Sequence, residues 1–311
     1  MSQSDSLSRD KTSVFRQAAN FLFVFLVLAL PLVYLPELGI LAFEPPKVFF
    51  FQAMTLTFLL LFLVHTGCEL LWAHRVSQKF KPLNLLFLWL VFTSLIGLDF
   101  STSFWGSVWR RQGLIFWFCG LVLTLLFKTR FLKITKSYLA FFICLSALLQ
   151  SLITLYQSFF LNFKPFVFSI PLLPLVSYAG RPIGTFGQPN FVAGFLLGCL
   201  PLVVFAWQKS QKLWQKWFFA AGAVLQLAAI CLTFSRGVIM ILLGMIVWWL
   251  ISHRNYQRLI LALLLVLLLI PILAVRLPTR SVWQNRTAIW QKALLVGLKH
   301  PLSGYGLENI E

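Results

Sequence analysis

Apolar runs alternate with short polar segments along most of this chain. Nine runs of 14 to 24 residues are recognisable, most of them close to the roughly 20 residues that cross a bilayer as a helix. Because a backbone in lipid must satisfy its own hydrogen bonds, each run predicts a membrane-spanning α-helix. The predicted spans are residues 18–35, 48–64, 83–98, 113–127, 138–161, 191–207, 217–234, 238–251 and 259–275.

Composition supports this interpretation and narrows the class of protein. With 59% hydrophobic and 11% charged residues, the chain is too apolar to be a soluble globule of its size. We predict an all-α, polytopic transmembrane helix bundle of about nine spanning helices that forms one membrane domain, residues 1–311. The net charge of +18 does not indicate a nucleic-acid partner, because the basic residues lie in short loops that flank the membrane.

The basic residues also predict an orientation. If the N-terminus is cytoplasmic, 15 of the 26 Lys and Arg residues fall inside and every inside segment is basic. We therefore expect the N-terminus inside and the C-terminus outside, with an uncleaved first helix. The inside residues are Arg9, Lys11, Arg16, Arg75, Lys79, Lys81, Lys128, Arg130, Lys133, Lys136, Lys209, Lys212, Lys216, Arg254 and Arg258.

Cysteine and carboxylate usage exclude several functions. The five cysteines show no metal-binding spacing and lie in or beside apolar runs, so we expect free thiols, no metal and no cofactor. Between Asp99 and Glu308 the sequence contains no acidic residue. A metal-dependent glycosyltransferase, a proton-coupled transporter or a hydrolase with paired carboxylates would need acids there.

Arginine is concentrated on the side predicted to lie outside, with seven Arg and four Lys. Because arginine binds phosphate oxygens through two parallel hydrogen bonds, this suggests an anionic, phosphorylated ligand; membrane anchoring is the alternative. Arg236 is the strongest candidate, since it sits between two spans with almost no loop. Ser235 is expected to cap the following helix and Gly237 to allow a tight turn.

Several motifs, in the same order along the chain, resemble the O-antigen ligase and O-antigen polymerase superfamily. The resemblance covers nearly the whole sequence. The motifs are Phe43-Glu44-Pro45-Pro46-Lys47, Ser103-Phe104-Trp105-Gly106 with Arg110-Arg111-Gln112-Gly113, Gly184-Thr185-Phe186-Gly187-Gln188-Pro189-Asn190 leading into Ala193-Gly194, Ser235-Arg236-Gly237, and Arg286 and Trp290 followed by His300-Pro301-Leu302-Ser303-Gly304-Tyr305-Gly306.

The resemblance implies metal-independent glycosyl transfer on the outer face of the cytoplasmic membrane. An oligosaccharide on undecaprenyl diphosphate would pass to a hydroxyl of a lipid, glycan or protein acceptor, and membrane lipids would surround the protein. By motif, Arg236 and Arg286 would bind the diphosphate, with Arg181, Arg110 and Arg111 as further candidates. Gln188 and Asn190 are candidates for binding sugar hydroxyls, although a helix-capping role for Asn190 is favoured over binding.

One family motif is expected beyond Glu311. A histidine followed by asparagine, which the family is thought to use to activate the acceptor, lies after the G-x-G segment, so residues 217–311 match only the first part of the family core. We expect the full-length protein to be an enzyme and this chain alone to be inactive. His300 is a weak catalytic candidate; the favoured interpretation is that it ends a helix ahead of Pro301.

Two local patterns complete the sequence predictions. Residues 285–299 are expected to form a helix with Asn285 as its N-cap, which would make either an anion site at Arg286 or an amphipathic helix on the outer leaflet. Gly194 and Gly198 are expected to allow close helix packing.

Two other function classes stay open beside the glycan ligase or polymerase. A transporter of polysaccharide or lipid-linked glycan would carry polar residues within its spans, which look nearly uniformly apolar. An inactive truncated fragment is the other alternative. Nothing in the sequence separates a ligase from a polymerase or from a protein glycosylation enzyme.

Overall fold

A computed structural model describes residues 3–66, 81–129, 131–163, 177–178, 181–252, 280–301 and 304–309. In these ranges the chain is almost entirely helical. The α-helices are α1 (Gln3–Ala29), α2 (Glu44–Thr66), α3 (Lys81–Ile96), α4 (Phe100–Trp105), α5 (Leu114–Lys128), α6 (Lys136–Phe163), α7 (Pro189–Lys209), α8 (Leu213–Leu232), α9 (Arg236–Ser252) and α10 (Arg280–Lys299). Two 3₁₀ helices, Leu30–Leu32 and Pro36–Leu41, follow α1.

The predicted apolar runs form helices throughout the described part of the chain. Five of the described helices are long and apolar enough to cross a membrane, and three shorter described apolar helices lie at the third, fourth and eighth predicted spans. The predicted ninth span, 259–275, lies outside the described residues. Among the described residues the strands form one two-residue antiparallel pair, β1 (Ser177–Tyr178) and β2 (Arg181–Pro182), in which Tyr178 faces Arg181.

Helix α6 links two groups of packed helices. On one side α1, α2 and α5 share a core, and α1 also packs on α6. On the other side α6, α7, α8 and α9 share a second core. Large apolar side chains on the outward faces remain exposed, as expected for lipid contact; examples are Phe21, Leu60, Val224, Met240 and Trp248.

Free cysteines occur in both groups of helices. Cys119, Cys144 and Cys199 are buried and Cys231 is exposed, and all four are free thiols, whereas Cys68 lies outside the described residues. The prediction of small apolar residues therefore holds for the three buried ones.

The loops between the helices gather at two ends of the bundle. At one end the loop after α5 folds back on α1 and α2: Lys133 N donates to Asn20 Oδ1 at 3.0 Å, and the Phe131 ring packs against Phe62 and His65. At the other end lie the loops that carry the motifs.

Four local predictions are wrong. Helix α10 begins at Arg280, so Asn285 lies inside it and is no N-cap. The residue at the N-cap of α7 is Gln188, which makes no side-chain cap, while Asn190 lies inside the helix. The tight turn before α9 occurs at Phe234, with φ +48°, and not at Gly237.

The fourth concerns the G-x-x-x-G pair. A Cβ atom added at Gly194 or Gly198 would meet no described atom within 4 Å, so these glycines mediate no close packing between the helices that the structure describes. The buried face of α7 is formed instead by larger residues such as Val192, Leu196 and Val203.

Candidate functional site at one end of the bundle

Five loop segments meet at one end of the bundle, which we call the motif end. They are residues 33–47, 97–113, 181–190, 233–237 and 304–309, and each contacts at least one of the others. They contain most of the motif residues singled out in the sequence, from Phe43 to Gly306. Side chains of the membrane helices hold them in place from below, and cavities open between them.

Lys47 joins three of the elements. It lies in the first turn of α2, and its Nζ donates to the carbonyl of Val33 and, at 2.6 Å, to the carbonyl of Thr185. The same Nζ lies 5.2 Å from the centre of the Phe186 ring, within the range of a cation–π contact. The lysine of the Phe43–Lys47 motif therefore fixes the Gly184–Asn190 motif to the first two helices.

Two glutamines of α6 hold the same turn from the membrane interior. Gln157 Oε1 accepts from Ile183 N at 3.0 Å and from Gly184 N at 2.7 Å, and Gln157 Nε2 donates to the Gly184 carbonyl at 3.1 Å. About two helical turns earlier, Gln150 Oε1 accepts from the Thr185 hydroxyl at 2.9 Å. Gly184 has φ +56°, and a Cβ there would lie 1.9 Å from Gln150 Nε2, so only glycine fits.

These glutamines belong to a polar face that the sequence reading missed. Six polar side chains of α6 are buried, so the description of the spans as nearly uniformly apolar is wrong for this helix. Their recurrence at intervals of three and four residues was a readable signal of one helical face. The residues are Ser146, Gln150, Ser151, Thr154, Gln157 and Ser158.

The C-terminal segment packs onto the loop between α3 and α5. Leu98 N donates to the Tyr305 carbonyl at 3.0 Å, and Asn309 Nδ2 donates to Ser103 Oγ at 2.9 Å. Glu308 Oε2 accepts from Ser107 N at 2.5 Å and from Gln112 N at 3.3 Å. Motifs separated by about 200 residues of sequence are therefore directly bonded to one another.

The close approach of these segments depends on glycine. A Cβ at Gly97 would lie 2.7 Å from the Tyr305 carbonyl oxygen and 2.8 Å from the Cα of Gly306. Gly306 has φ +91°, and a Cβ there would lie 2.5 Å from both Asn309 Nδ2 and Ser103 Oγ. The last glycine of the H-P-x-x-G-x-G motif is therefore a packing requirement of the motif end.

His300 and Asp99 have structural partners here. Helix α10 ends at Lys299, one residue before His300, as the helix-stop interpretation predicts, and the His300 ring meets the Tyr305 ring edge to face with centres 4.6 Å apart. Asp99 caps α4: Oδ1 accepts from Ser101 N, and Oδ2 accepts from Thr102 N and Oγ1. These hydrogen bonds hold the pKa of Asp99 below its ordinary value.

The candidate arginines fall into two groups. Arg181 donates to the Phe234 carbonyl at 3.4 Å, which places it beside Arg236, the first residue of α9. Arg110 and Arg111 lie instead on the segment that packs against α2, where the Arg111 guanidinium lies 5.9 Å from the centre of the Phe49 ring. Arg286 lies in α10, and its side chain lies outside the described part of the structure.

The two candidate amides have different surroundings. Asn190 Oδ1 accepts from the Ser235 hydroxyl at 2.8 Å, which connects the Gly184–Asn190 motif to the Ser235–Gly237 motif. Gln188, just outside α7, is only partly buried. Asn190 is therefore bonded to the residue that precedes Arg236, a contact that the sequence did not suggest.

Two cavities open at the motif end, and Trp109 lines both of them. The smaller, of about 180 Å³, is lined by Phe43, Glu44, Trp109, Arg110, Phe186 and Gly187. The larger, of about 460 Å³, is lined by Leu98, Asp99, Thr102, Ser107, Val108, Trp109, Glu308 and Asn309. Asp99 and Glu308, which border the long acid-free stretch of sequence, therefore line one cavity.

The motif end thus offers Arg181 and Arg236 at the start of α9, a third arginine, Arg110, at the smaller cavity, and a larger cavity with carboxylates. Among the described residues no group of three or more His, Cys, Asp or Glu side chains is arranged to hold a metal ion. Comparisons with protein-family models, with curated proteins and with solved structures find no match to this chain.

Proposed function

We propose that this chain is a membrane glycosyl-transferring protein of O-antigen ligase type. In this proposal an oligosaccharide moves from undecaprenyl diphosphate to an acceptor hydroxyl. The supporting observation is that the motifs which carry the resemblance are bonded to one another at a single end of the bundle: Lys47 to Thr185, Asn190 to Ser235, and Glu308 to Ser107 and Gln112.

Binding of the diphosphate is assigned to the arginines. Arg236 begins α9, where backbone N–H groups of the first turn and the helix dipole add to its charge. Arg181 lies beside it, and Arg286 is the third member by motif. Arg110 and Arg111, on the other segment, are secondary candidates. Gln188 and Asn190 are the proposed contacts for sugar hydroxyls, with Asn190 also bound to Ser235.

The orientation belongs to the same proposal. We place the motif end on the outer face of the cytoplasmic membrane, because the opposite loops carry more of the basic residues. Single cysteines at positions 181 and 212, in a background without native cysteines, test this with an impermeant thiol reagent on intact cells. Labelling at 181 alone is expected; labelling at 212 alone would reverse the orientation.

A gene deletion tests the function in the cell that makes the protein. Without this protein, the undecaprenyl-diphosphate-linked oligosaccharide should accumulate on the outer face of the membrane while the glycosylated acceptor disappears. Unchanged levels of both would overturn the proposal.

Transport is the second candidate, and the deletion separates it from transfer. The buried polar face of α6 favours transport in principle, since a path for a polar cargo needs polar walls. However, Gln157 is bonded to the 183–184 turn, Gln150 to Thr185, and Ser151 and Thr154 to carbonyls of their own helix. Accumulation of the lipid-linked glycan on the inner face would support a transporter.

A further inference from the structure

The larger cavity at the motif end has the size of a ligand site. Its volume of about 460 Å³ falls within the roughly 300–1,000 Å³ typical of small-molecule sites. It lies between the α3–α5 loop and the C-terminal segment, so it forms only when Glu308 and Asn309 are docked. It is built from two segments that lie far apart in the sequence, residues 98–109 and 308–309.

Its apolar wall is formed mainly by Trp109. This side chain is 52% exposed although it is large and aromatic, and it lies beside Val108 and Leu98 on the same wall. A half-exposed indole in a cavity offers a flat face to an apolar surface of a ligand, and its N–H gives one hydrogen bond. The C–H face of a pyranose ring is such a surface.

The polar wall presents mainly acceptors. The Asn309 amide nitrogen is used by Ser103 Oγ and the Tyr305 carbonyl, and the Thr102 hydroxyl donates to Asp99. The groups on this wall that can still bind a ligand are acceptor oxygens, namely the carboxylates of Asp99 and Glu308 and the carbonyl of the Asn309 side chain. A ligand that satisfies this wall must bring several donors, as hydroxyl or ammonium groups do.

The charge of the cavity excludes anions. Its described lining residues include Asp99 and Glu308 and no Lys or Arg. A phosphate or carboxylate group would meet two like charges there, whereas Arg110 lines the smaller cavity on the other side of Trp109. The smaller cavity also contains Glu44, so of these two cavities only the larger has charged lining residues of a single sign.

We propose that the larger cavity binds a neutral or amino sugar ring, stacked on Trp109 and hydrogen-bonded through its hydroxyls to Asp99, Glu308 and Asn309. The inference rests on the proposed function for the source of the ring, which would be a sugar of the transferred glycan or its acceptor. It adds a specificity: a uronic acid or phosphorylated sugar is rejected at this position.

The test uses two probes that differ in one group. Methyl β-glucopyranoside and methyl β-glucuronide differ only at C6, which carries a hydroxymethyl group in the first and a carboxylate in the second. Binding to the purified chain in lipid nanodiscs is measured by saturation-transfer NMR. We expect the neutral probe to bind about tenfold more tightly or better, the scale of one hydrogen bond to a charged group.

Variants locate the binding in the cavity. Trp109→Ala should weaken the neutral probe about tenfold, whereas Trp214→Ala, a 60%-exposed tryptophan at the other end of the bundle, should leave it unchanged. Glu308→Gln keeps an oxygen for Ser107 N and Gln112 N but removes the charge, so discrimination against the glucuronide should decrease. Correct folding of each variant is checked by its thermal unfolding.

The outcomes separate this inference from the proposed function. Equal affinity for the two probes, no binding of the neutral probe, or unchanged binding in Trp109→Ala would overturn the sugar site. Selective binding together with unchanged lipid-linked glycan in the gene deletion would leave the sugar site standing and overturn the transfer proposal.

Discussion

Lys47 Nζ donates a 2.6 Å hydrogen bond to the carbonyl oxygen of Thr185, 138 residues further along the chain. The bond connects the first turn of α2 to the turn that precedes α7, and Gln150 and Gln157 of α6 hold that same turn. Two helices, α2 and α6, therefore position one short motif through the Gly184 amide and carbonyl, the Thr185 carbonyl and the Thr185 hydroxyl.

Replacing Lys47 should loosen the motif end. Lys47→Met keeps most of the side-chain volume but leaves the carbonyls of Val33 and Thr185 without their donor, which we expect to lower the free energy of unfolding by about 3 kcal/mol. Thermal unfolding in detergent measures the change. Lys209→Met, at the exposed end of α7, is the matched control, and an equal effect of both substitutions would contradict the role given to Lys47.

Two buried glutamines should respond oppositely to the same substitution. Gln157→Leu leaves two N–H groups and a carbonyl of the 183–184 turn unpaired, so we expect a loss of roughly 2–4 kcal/mol. Gln226 is fully buried in α8, and neither atom of its amide has a hydrogen-bond partner among the described residues. Gln226→Leu should therefore leave stability unchanged or raise it. Parallel unfolding curves decide; a large loss in Gln226→Leu would reveal a partner for that amide.

Gly306→Ala should detach the C-terminal segment from the α3–α5 loop. The added Cβ would strain a backbone with φ +91° and collide with Ser103 and Asn309. Hydrogen exchange at Ser107 N and Gln112 N, which donate to Glu308, should become faster. Gly297→Ala is the control: it lies in open space on α10 and should stabilise that helix by about 0.5–1 kcal/mol. Unchanged protection of the two amides in Gly306→Ala would contradict the role of Gly306 in docking.

The Asp99 cap predicts a dependence on pH. Because its hydrogen bonds lower the pKa of Asp99 in the folded state, its stabilising effect is complete above the unfolded value near 3.8 and is lost as the pH falls through the lower folded pKa. Asp99→Ala should therefore melt at a lower temperature than the wild type at pH 7, and the difference should shrink below about pH 4. A difference in melting temperature that stays constant from pH 7 to below pH 4 would show that Asp99 stabilises the fold through packing and not through its charge.

Arg236 should be essential for transfer. Removing one fixed positive partner of a leaving group commonly raises a transition state by roughly 3–4 kcal/mol, which is about a hundredfold to a thousandfold in rate. Arg236→Ala should show this loss in the cellular assay, and Arg236→Lys should also be impaired because lysine lacks the planar fork. Arg16→Ala, at the opposite end, is the control for membrane insertion. Wild-type transfer by Arg236→Ala would reduce Arg236 to a membrane anchor.

The helices could be predicted from the sequence because lipid leaves few alternatives to a long apolar run. The ends of the helices were harder to predict, and α10 is an example. Asn285 satisfies the rule for a capping residue, yet the helix already begins at Arg280. A capping residue is permitted inside a helix, so the rule alone cannot exclude a start further upstream.

Only part of the candidate site could be predicted from the sequence, because most of its contacts join residues that are far apart along the chain. Asp99 and Glu308 lie at the two ends of the long acid-free stretch of sequence, but folding brings them to the same cavity. The partners of Lys47 and Asn190 could not be predicted either, because a sequence motif identifies a residue but not the group that it will contact in the fold. In contrast, the polar face of α6 was present in the spacing of Gln150, Thr154 and Gln157.

The polar face of α6 also constrains how the protein can be made. Gln157 and Gly184 are 27 residues apart, a length that a ribosome adds in roughly 1–5 s. During that interval α6 is complete while the turn that will occupy its amides does not yet exist. During membrane insertion the polar face of α6 therefore passes through a stage in which its amides lack these partners and need protection from the lipid acyl chains. We expect α6 to enter the lipid only after the 183–184 turn has been synthesised.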